Sequence, residues 1–267
     1  NVRVGGFYSV PTRADLKPMA EQLRRALDDA LATVEWVAGF EFPDLTIDAE
    51  LLALTGDRYP MEGGAIARSD GPAFGVAEFS DHVRETHVPH STALHATLDG
   101  HQHLTGPLAR YALNHELLSP LAREAAAAAG LGAECRNPFR SIIVRAVEVV
   151  YAVQEALRII EDYERPARPY LEVEPRPGVG HGVSEAPRGL LYHRYEIDES
   201  GRIGAALIVP PTSQNQAAIE ADLARVVLAG EALDDAELTT LCERAIRNYD
   251  PCISCATHFL TLRVDRR

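Results

Sequence analysis

Apolar residues recur every three or four positions between residues 14 and 37, where Leu16, Met19, Leu23, Leu27, Leu31 and Val34 share one face. This spacing predicts an amphipathic helix, with Pro18 the expected start because a first turn tolerates proline. The period returns in "LARYALNHELLSPLAREAAAAAG", which ends on Gly130 and predicts two helices or one broken at Pro120. From Ser141 to Tyr163, "SIIVRAVEVVYAVQEALRIIEDY" is the most apolar helical stretch. Arg145, Glu148, Gln154 and Glu155 leave it little polar face, so it is expected to be a central, mostly buried helix.

Residues 165 to 189 change character. Pro166, Pro169, Pro175, Pro177 and Pro187 alternate with Gly178, Gly180, Gly182 and Gly189, which predicts a long loop of the kind that is usually functional. "GLLYHRYEID" and "RIGAALIVP" follow, joined by "ESG", and read as a β-hairpin. A polar loop, "PTSQNQ", is then expected before helices over "AAIEADLARVVL" and "DAELTTLCERAIRNY". With no internal repeat and no low-complexity linker, residues 1–267 read as a single, mainly α domain with small β elements, an α+β fold.

A chain of 267 residues buries a sizeable core without covalent staples. Its four cysteines, Cys135, Cys242, Cys252 and Cys255, are too few for a disulfide framework and point to a reducing, cytoplasmic setting. The net charge of -13, without a basic run, argues against nucleic acid as a partner. No apolar stretch approaches the ~20 residues of a membrane helix, and no secretory signal opens the chain.

The chemistry concentrates near the end, in "DPCISCATH". Cys252 and Cys255 are three apart, so two thiolates on one turn can reach a single soft metal, and His258 follows three further on. A structural zinc site needs four ligands, and Cys135 and Cys242 are isolated. A thioredoxin-like pair would open a helix after a strand, whereas here a helix precedes it. Six of the ten histidines, His82, His87, His90, His95, His101 and His103, crowd one segment. None makes an i, i+4 metalloprotease pattern, so they read as surface or buried hydrogen-bonding residues. In "SEAPRG", Arg188 is held between Pro187 and Gly189 and suits an anion, although an isolated arginine of this kind more often serves a structural ion pair. Thr212, Ser213 and Asn215 carry the same two readings.

Together these segments resemble the large subunit of nickel-iron hydrogenases. "DPCISCATH" matches that family's Asp-Pro-Cys-x-x-Cys-x-x-His signature, "GVSEAPRGLLYHRY" its Glu-Ala-Pro-Arg-Gly loop, and "VPPTSQNQ" the loop lining its iron. "NPFRSIIVRAVE", "GPLARYALN" and "NVRVGGF" are similar to the soluble, cytoplasmic branch. The resemblance implies the helix-bundle core of that subunit, and reversible heterolytic cleavage of H2 with electrons passed to an iron-sulfur small subunit. It implies a Ni-Fe centre with carbon monoxide and cyanide on the iron, a magnesium ion, and iron-sulfur clusters in the partner. Cys252 would be a terminal nickel ligand, Cys255 would bridge nickel and iron, and His258 would bind magnesium. Pro187, Arg188, Pro211 and Thr212 would line the iron pocket, with Arg188 over the open metal position. Nicotinamide- or flavin-linked diaphorase subunits and a maturation endopeptidase are further implied partners.

Two departures go with it. The family carries a second Cys-x-x-Cys pair towards its N-terminus, which is missing here, so the chain is expected to be a partial large subunit. "FLTLRVDRR", residues 259–267, is expected to be a cleavable extension, or alternatively a permanent terminal strand. The rival functions are a non-catalytic relative on the quinone side of respiratory complex I, and a zinc-stabilised binding or assembly protein using Cys252, Cys255 and His258.

Overall fold

The computed structural model describes residues 1–251 and 262–263. A short ribbon, β1 (Val2–Arg3) and β2 (Gly6–Phe7), leads into helix α1 (Arg13–Ala38). Next come β3 (Glu50–Thr55), β4 (Ala65–Arg68), the single turn α2 (Phe79–His82), β5 (Val83–Thr86), β6 (His95–Leu98) and β7 (His103–Leu104). Helices α3 (Pro107–Asn114), α4 (Pro120–Ala128) and α5 (Ser141–Glu161) precede a meander of β8 (Gly178–Ala186), β9 (Gly189–Ile197) and β10 (Ile203–Val209). Helices α6 (Pro211–Ala229) and α7 (Asp235–Arg247) follow. The α+β class expected from the sequence is the one observed.

Strand β3 explains the layering. It pairs antiparallel with β4 and parallel with β7, and Leu51 to Leu54 are all buried. Successive side chains of a strand point to opposite faces. Leu51 and Ala53 accordingly join a core with α1, α3, α4 and α5, while Leu52 and Leu54 join a second core with Phe79, Leu98, Leu190 and Tyr192. In the second core the Phe79 and Tyr192 rings stack at 4.2 Å. A third core, formed by Phe139, Val226, Leu238, Cys242 and Ala245, joins α6 to α7.

Several expectations change. Helix α1 starts five residues before Pro18, because Thr12 and Asp15 form a reciprocal capping box that satisfies its first donors and fixes the start. The stretch around Pro120 is two helices: Ser119 caps α4, and Gly130, at φ +70°, closes it while Leu131 N–H returns to Ala126 O. The fully buried residues of helix α5 reach only as far as Tyr151; beyond it the residues are half-buried or exposed, and Ile159 is half exposed.

The proline- and glycine-rich segment is a loop only in its first half. Gly178–Ala186 pairs in register with β9 down to Ala186 opposite Gly189, which makes Pro187-Arg188 a two-residue hairpin turn. Gly178, Gly180 and Gly182 do not prevent this, since the pairing uses backbone groups. "PTSQNQ" is not a loop but the first turns of α6. Pro211 occupies the first helical position, where its missing N–H costs nothing, and tertiary hydrogen bonds engage the polar side chains that would otherwise disfavour helix. The β9–β10 hairpin and α7 form as the pattern predicts.

Candidate metal centre

The site is organised by the Pro187-Arg188 turn and by one buried arginine beneath it. Arg110, on α3, is 5% exposed, and all five of its N–H donors are used. Its Nε and one terminal nitrogen fork onto Glu148 at 2.7 and 2.9 Å. The remaining donors reach Glu185 at 2.9 Å, Ala186 O at 2.9 Å and Pro187 O at 3.0 Å. The hairpin tip is therefore fixed from inside. Glu185 also accepts from Leu54 N–H at 2.8 Å, and Glu148 accepts from the Tyr59 hydroxyl at 2.7 Å. Burial pushes the Glu185 carboxyl up, against the pull of Arg110.

A second set of ties brings α6 against the same turn. Gln214 donates to Leu190 O at 2.7 Å, and Asn215 accepts from Thr105 N–H at 2.8 Å and donates to Arg188 O at 3.4 Å. Thr105 Oγ1 accepts from Leu190 N–H at 2.9 Å. The β7–α3 junction and the hairpin can touch only because both contributing residues lack a side chain. A Cβ on Gly106 (φ +112°) would lie 2.6 Å from Arg188 O, and one on Gly189 (φ +135°) would lie 2.5 Å from Thr105 Cγ2.

Arg188 itself points towards the chain end. Its Nε donates to Asp250 O at 2.5 Å and stands 3.3 Å from the Asp250 carboxylate. Asp250, in the left-handed region at φ +47°, turns the chain just before Pro251. The two residues share a crevice with Leu104, Pro107, Leu108, Arg145, Pro187, Asn215, Asn248 and Tyr249. Arg145 makes no ion pair among the described residues, and burial pushes its pKa down. Asn248 Nδ2 is buried without a hydrogen-bond partner there. Tyr249 donates to Asp222, and Ser141 to Asn248 O at 2.9 Å, which anchors the turn leading into the crevice.

The structure thus joins Pro187 and Arg188 to the segment immediately before Cys252. Pro211 is buried at the start of α6 and Thr212 is half-buried, one turn before Asn215 and outside the wall of the crevice. Cys252, Cys255 and His258 lie outside the described residues. Sequence reasoning passed over Arg110, Arg145 and Glu148 as site builders. Their signal was present, since each is a charge on an otherwise apolar helical face.

Of the clustered histidines, His82 pairs with Asp99 at 3.0 Å, while His90 and His95 meet Glu220. His103 differs from the hydrogen-bonding role expected of it. It is fully buried, neither ring nitrogen has an aligned partner, and burial pushes its pKa to about 4, with nearby Gln214 opposing only in part. The unfolded chain then binds the proton first, so His103 stabilises the fold above its ordinary pKa, and this contribution fades as pH falls from about 6.5 to about 4. Against a His103→Gln variant, denaturant unfolding should show the wild type losing about 3 kcal/mol more between pH 7 and pH 4. Parallel pH profiles for the two proteins would contradict this assignment.

A family model described as nickel-dependent hydrogenase matches residues 95–258, more than half of the chain, and the protein belongs to that family. Among its relatives, sulfhydrogenase 1 subunit alpha of Pyrococcus furiosus is 34% identical over 268 residues, covering 98% of this chain and 62% of that protein. The NAD-reducing hydrogenase HoxS subunit beta of Cupriavidus necator is 34% identical over 165 residues, covering 58% of this chain and 34% of its own. A crystal structure of an NAD+-reducing [NiFe]-hydrogenase in the H2-reduced state superposes with a TM-score of 0.75 at 23% identity, covering 95% of this chain and 62% of that one. The chain therefore spans under two thirds of the length of these relatives.

Proposed function

We infer that this chain carries the C-terminal thiolate half of a nickel-iron hydrogenase catalytic centre, acting in reversible heterolytic cleavage of H2. The observation that carries the reading is the Arg188–Asp250 contact, which seats the residues before Cys252 against the Pro187-Arg188 turn. The crevice fits the group the family implies. Apolar Leu104, Pro107 and Leu108 suit small uncharged ligands, while Arg145, Arg188 and the unpartnered Asn248 Nδ2 offer donors to an anionic centre in a protein of net charge -13.

When bound, a Ni-Fe centre with carbon monoxide and cyanide supplies a soft, redox-active position for hydrogen. Cys252 and Cys255 would hold it as thiolates, with Cys252 also accepting the first proton at Sγ. His258 would bind magnesium near the chain end. Pro187 would exclude water from the pocket and Arg188 would offer its guanidinium to the bound group, where fixed donors stabilise developing negative charge, while Pro211 and Thr212, which stand off the crevice wall, would back it from the first turn of α6. A complete set of four thiolates requires a second Cys-x-x-Cys pair, which these 267 residues do not contain.

The proposed partners are an iron-sulfur small subunit, diaphorase subunits linking electrons to a nicotinamide or flavin, and an endopeptidase that cleaves after His258. A cytoplasmic location is consistent with the sparse cysteines, and no described helix is long and apolar enough to cross a membrane.

An infrared spectrum of the intact complex, with nickel quantified on the same sample, tests the reading. Metal-bound carbon monoxide and cyanide stretches with one nickel per chain are expected. A folded, fully assembled complex lacking both would overturn it.

A further inference from the structure

A second cluster of ligating side chains lies apart from the crevice. His90 sits in the connection after β5, His95 opens β6, and Glu220 lies on α6, 130 positions after His90. Their donor atoms converge. His90 Nε2 is 3.1 and 3.2 Å from the two Glu220 oxygens, His95 Nε2 is 3.4 Å from Oε1, and the three ligand atoms lie within 4.8 Å of one another. A tetrahedral ion at about 2.0–2.1 Å from each donor spaces its ligands roughly 3.3 Å apart, so the side chains already stand near the edges of such a shell.

His95 gives an independent reason to expect an occupant. The residue is 7% exposed, yet its Nε2 has no hydrogen bond of acceptable geometry, the 3.4 Å approach to Glu220 being misaligned. A buried polar atom left in this state is unfavourable, and a cation placed between the three donors removes that cost.

We propose that His90, His95 and Glu220 bind one divalent transition ion of the zinc or nickel class. Two imidazoles and one carboxylate favour such an ion over magnesium or calcium, which prefer all-oxygen shells. Three protein ligands leave a fourth position for water, on the side where His90 is 65% exposed. The ion would cross-link α6 to the β5–β6 hairpin. Because the first turns of α6 carry Gln214 and Asn215 into the Arg188 turn, it would also stiffen the helix that supports the crevice.

Cobalt titration tests this on the full-length protein with its partner subunits, after chelator treatment. Co2+ reports nitrogen and oxygen ligands by weak visible bands, which are distinct from the intense charge-transfer bands of cobalt thiolates. The expected result is one Co2+ per chain with the weak signature alone, displaced by Zn2+, and bound at least about tenfold more weakly by His90→Ala and by Glu220→Gln. His90 is exposed, so its replacement leaves the fold intact, which circular dichroism on the same samples verifies. If both variants bind cobalt with the wild-type stoichiometry, affinity and spectrum, or if the wild type binds cobalt only with thiolate bands, the site does not exist.

Discussion

Exchanging Cys255 for serine is expected to lower hydrogen uptake by more than about 100-fold and to strip nickel from the complex, while the fold survives. Even residues that only orient a metal ligand cost 10- to 100-fold when replaced, and a hydroxyl is a poorer donor than a thiolate for a soft metal. The fold is expected to survive because the three cores among the described residues are built from side chains on β3, the helices and the meander. Hydrogen-dependent dye reduction, nickel content and thermal unfolding on one preparation separate the possibilities. Full activity in a folded Cys255→Ser protein would end the hydrogenase reading. Loss of C-terminal order with unchanged activity would instead support a structural zinc.

Arg110→Met is expected to destabilise the protein by about 3–5 kcal/mol, the usual consequence of removing one partner from a buried ion pair. The variant leaves Glu148 and Glu185 facing each other without their cation, at 16% and 2% exposure. The Glu185 carboxyl, already pushed up by burial, would then lose the opposing pull of Arg110 and rise further. A carboxyl raised in the folded state stabilises below its unfolded pKa, and that stability disappears as pH rises through the folded pKa. Unfolding of Arg110→Met should therefore become easier from about pH 5 upward, and the added substitutions Glu148→Gln and Glu185→Gln should recover part of the loss. Arg110→Lys should fall between, since a lysine keeps the charge but not the fork. Urea midpoints across pH measure all of this, and a wild-type midpoint in Arg110→Met at pH 8 would show that the cluster does not hold the hairpin. Activity should fall with stability, because Ala186 O and Pro187 O lose the donors that fix Arg188.

The family, the α+β class, most of the helices and the late hairpin are legible in the order of residues alone. Each is written in a local signal: the three-and-four spacing of α1 and α5, the alternation of β9 and β10, and the contiguous Asp-Pro-Cys-x-x-Cys-x-x-His motif. Sequence reasoning read Arg188 as held by Pro187 and Gly189 within a long loop, whereas Pro187-Arg188 is the tip of a tight hairpin. It misjudged α6, because Ser213 and Asn215 favour turns locally and are held in the helix by partners as remote as Thr105. It missed β8, because a glycine-rich strand has no side-chain pattern and is defined by its pairing with β9. That Arg110 reaches Glu148 and Glu185, and that His90 and His95 meet Glu220 across 125 to 130 positions of chain, follows from long-range packing. Local pattern records what one residue and its near neighbours prefer. Which distant charges share a buried space is set by how helices and sheets close on one another, and both ligand clusters described above depend on that closure.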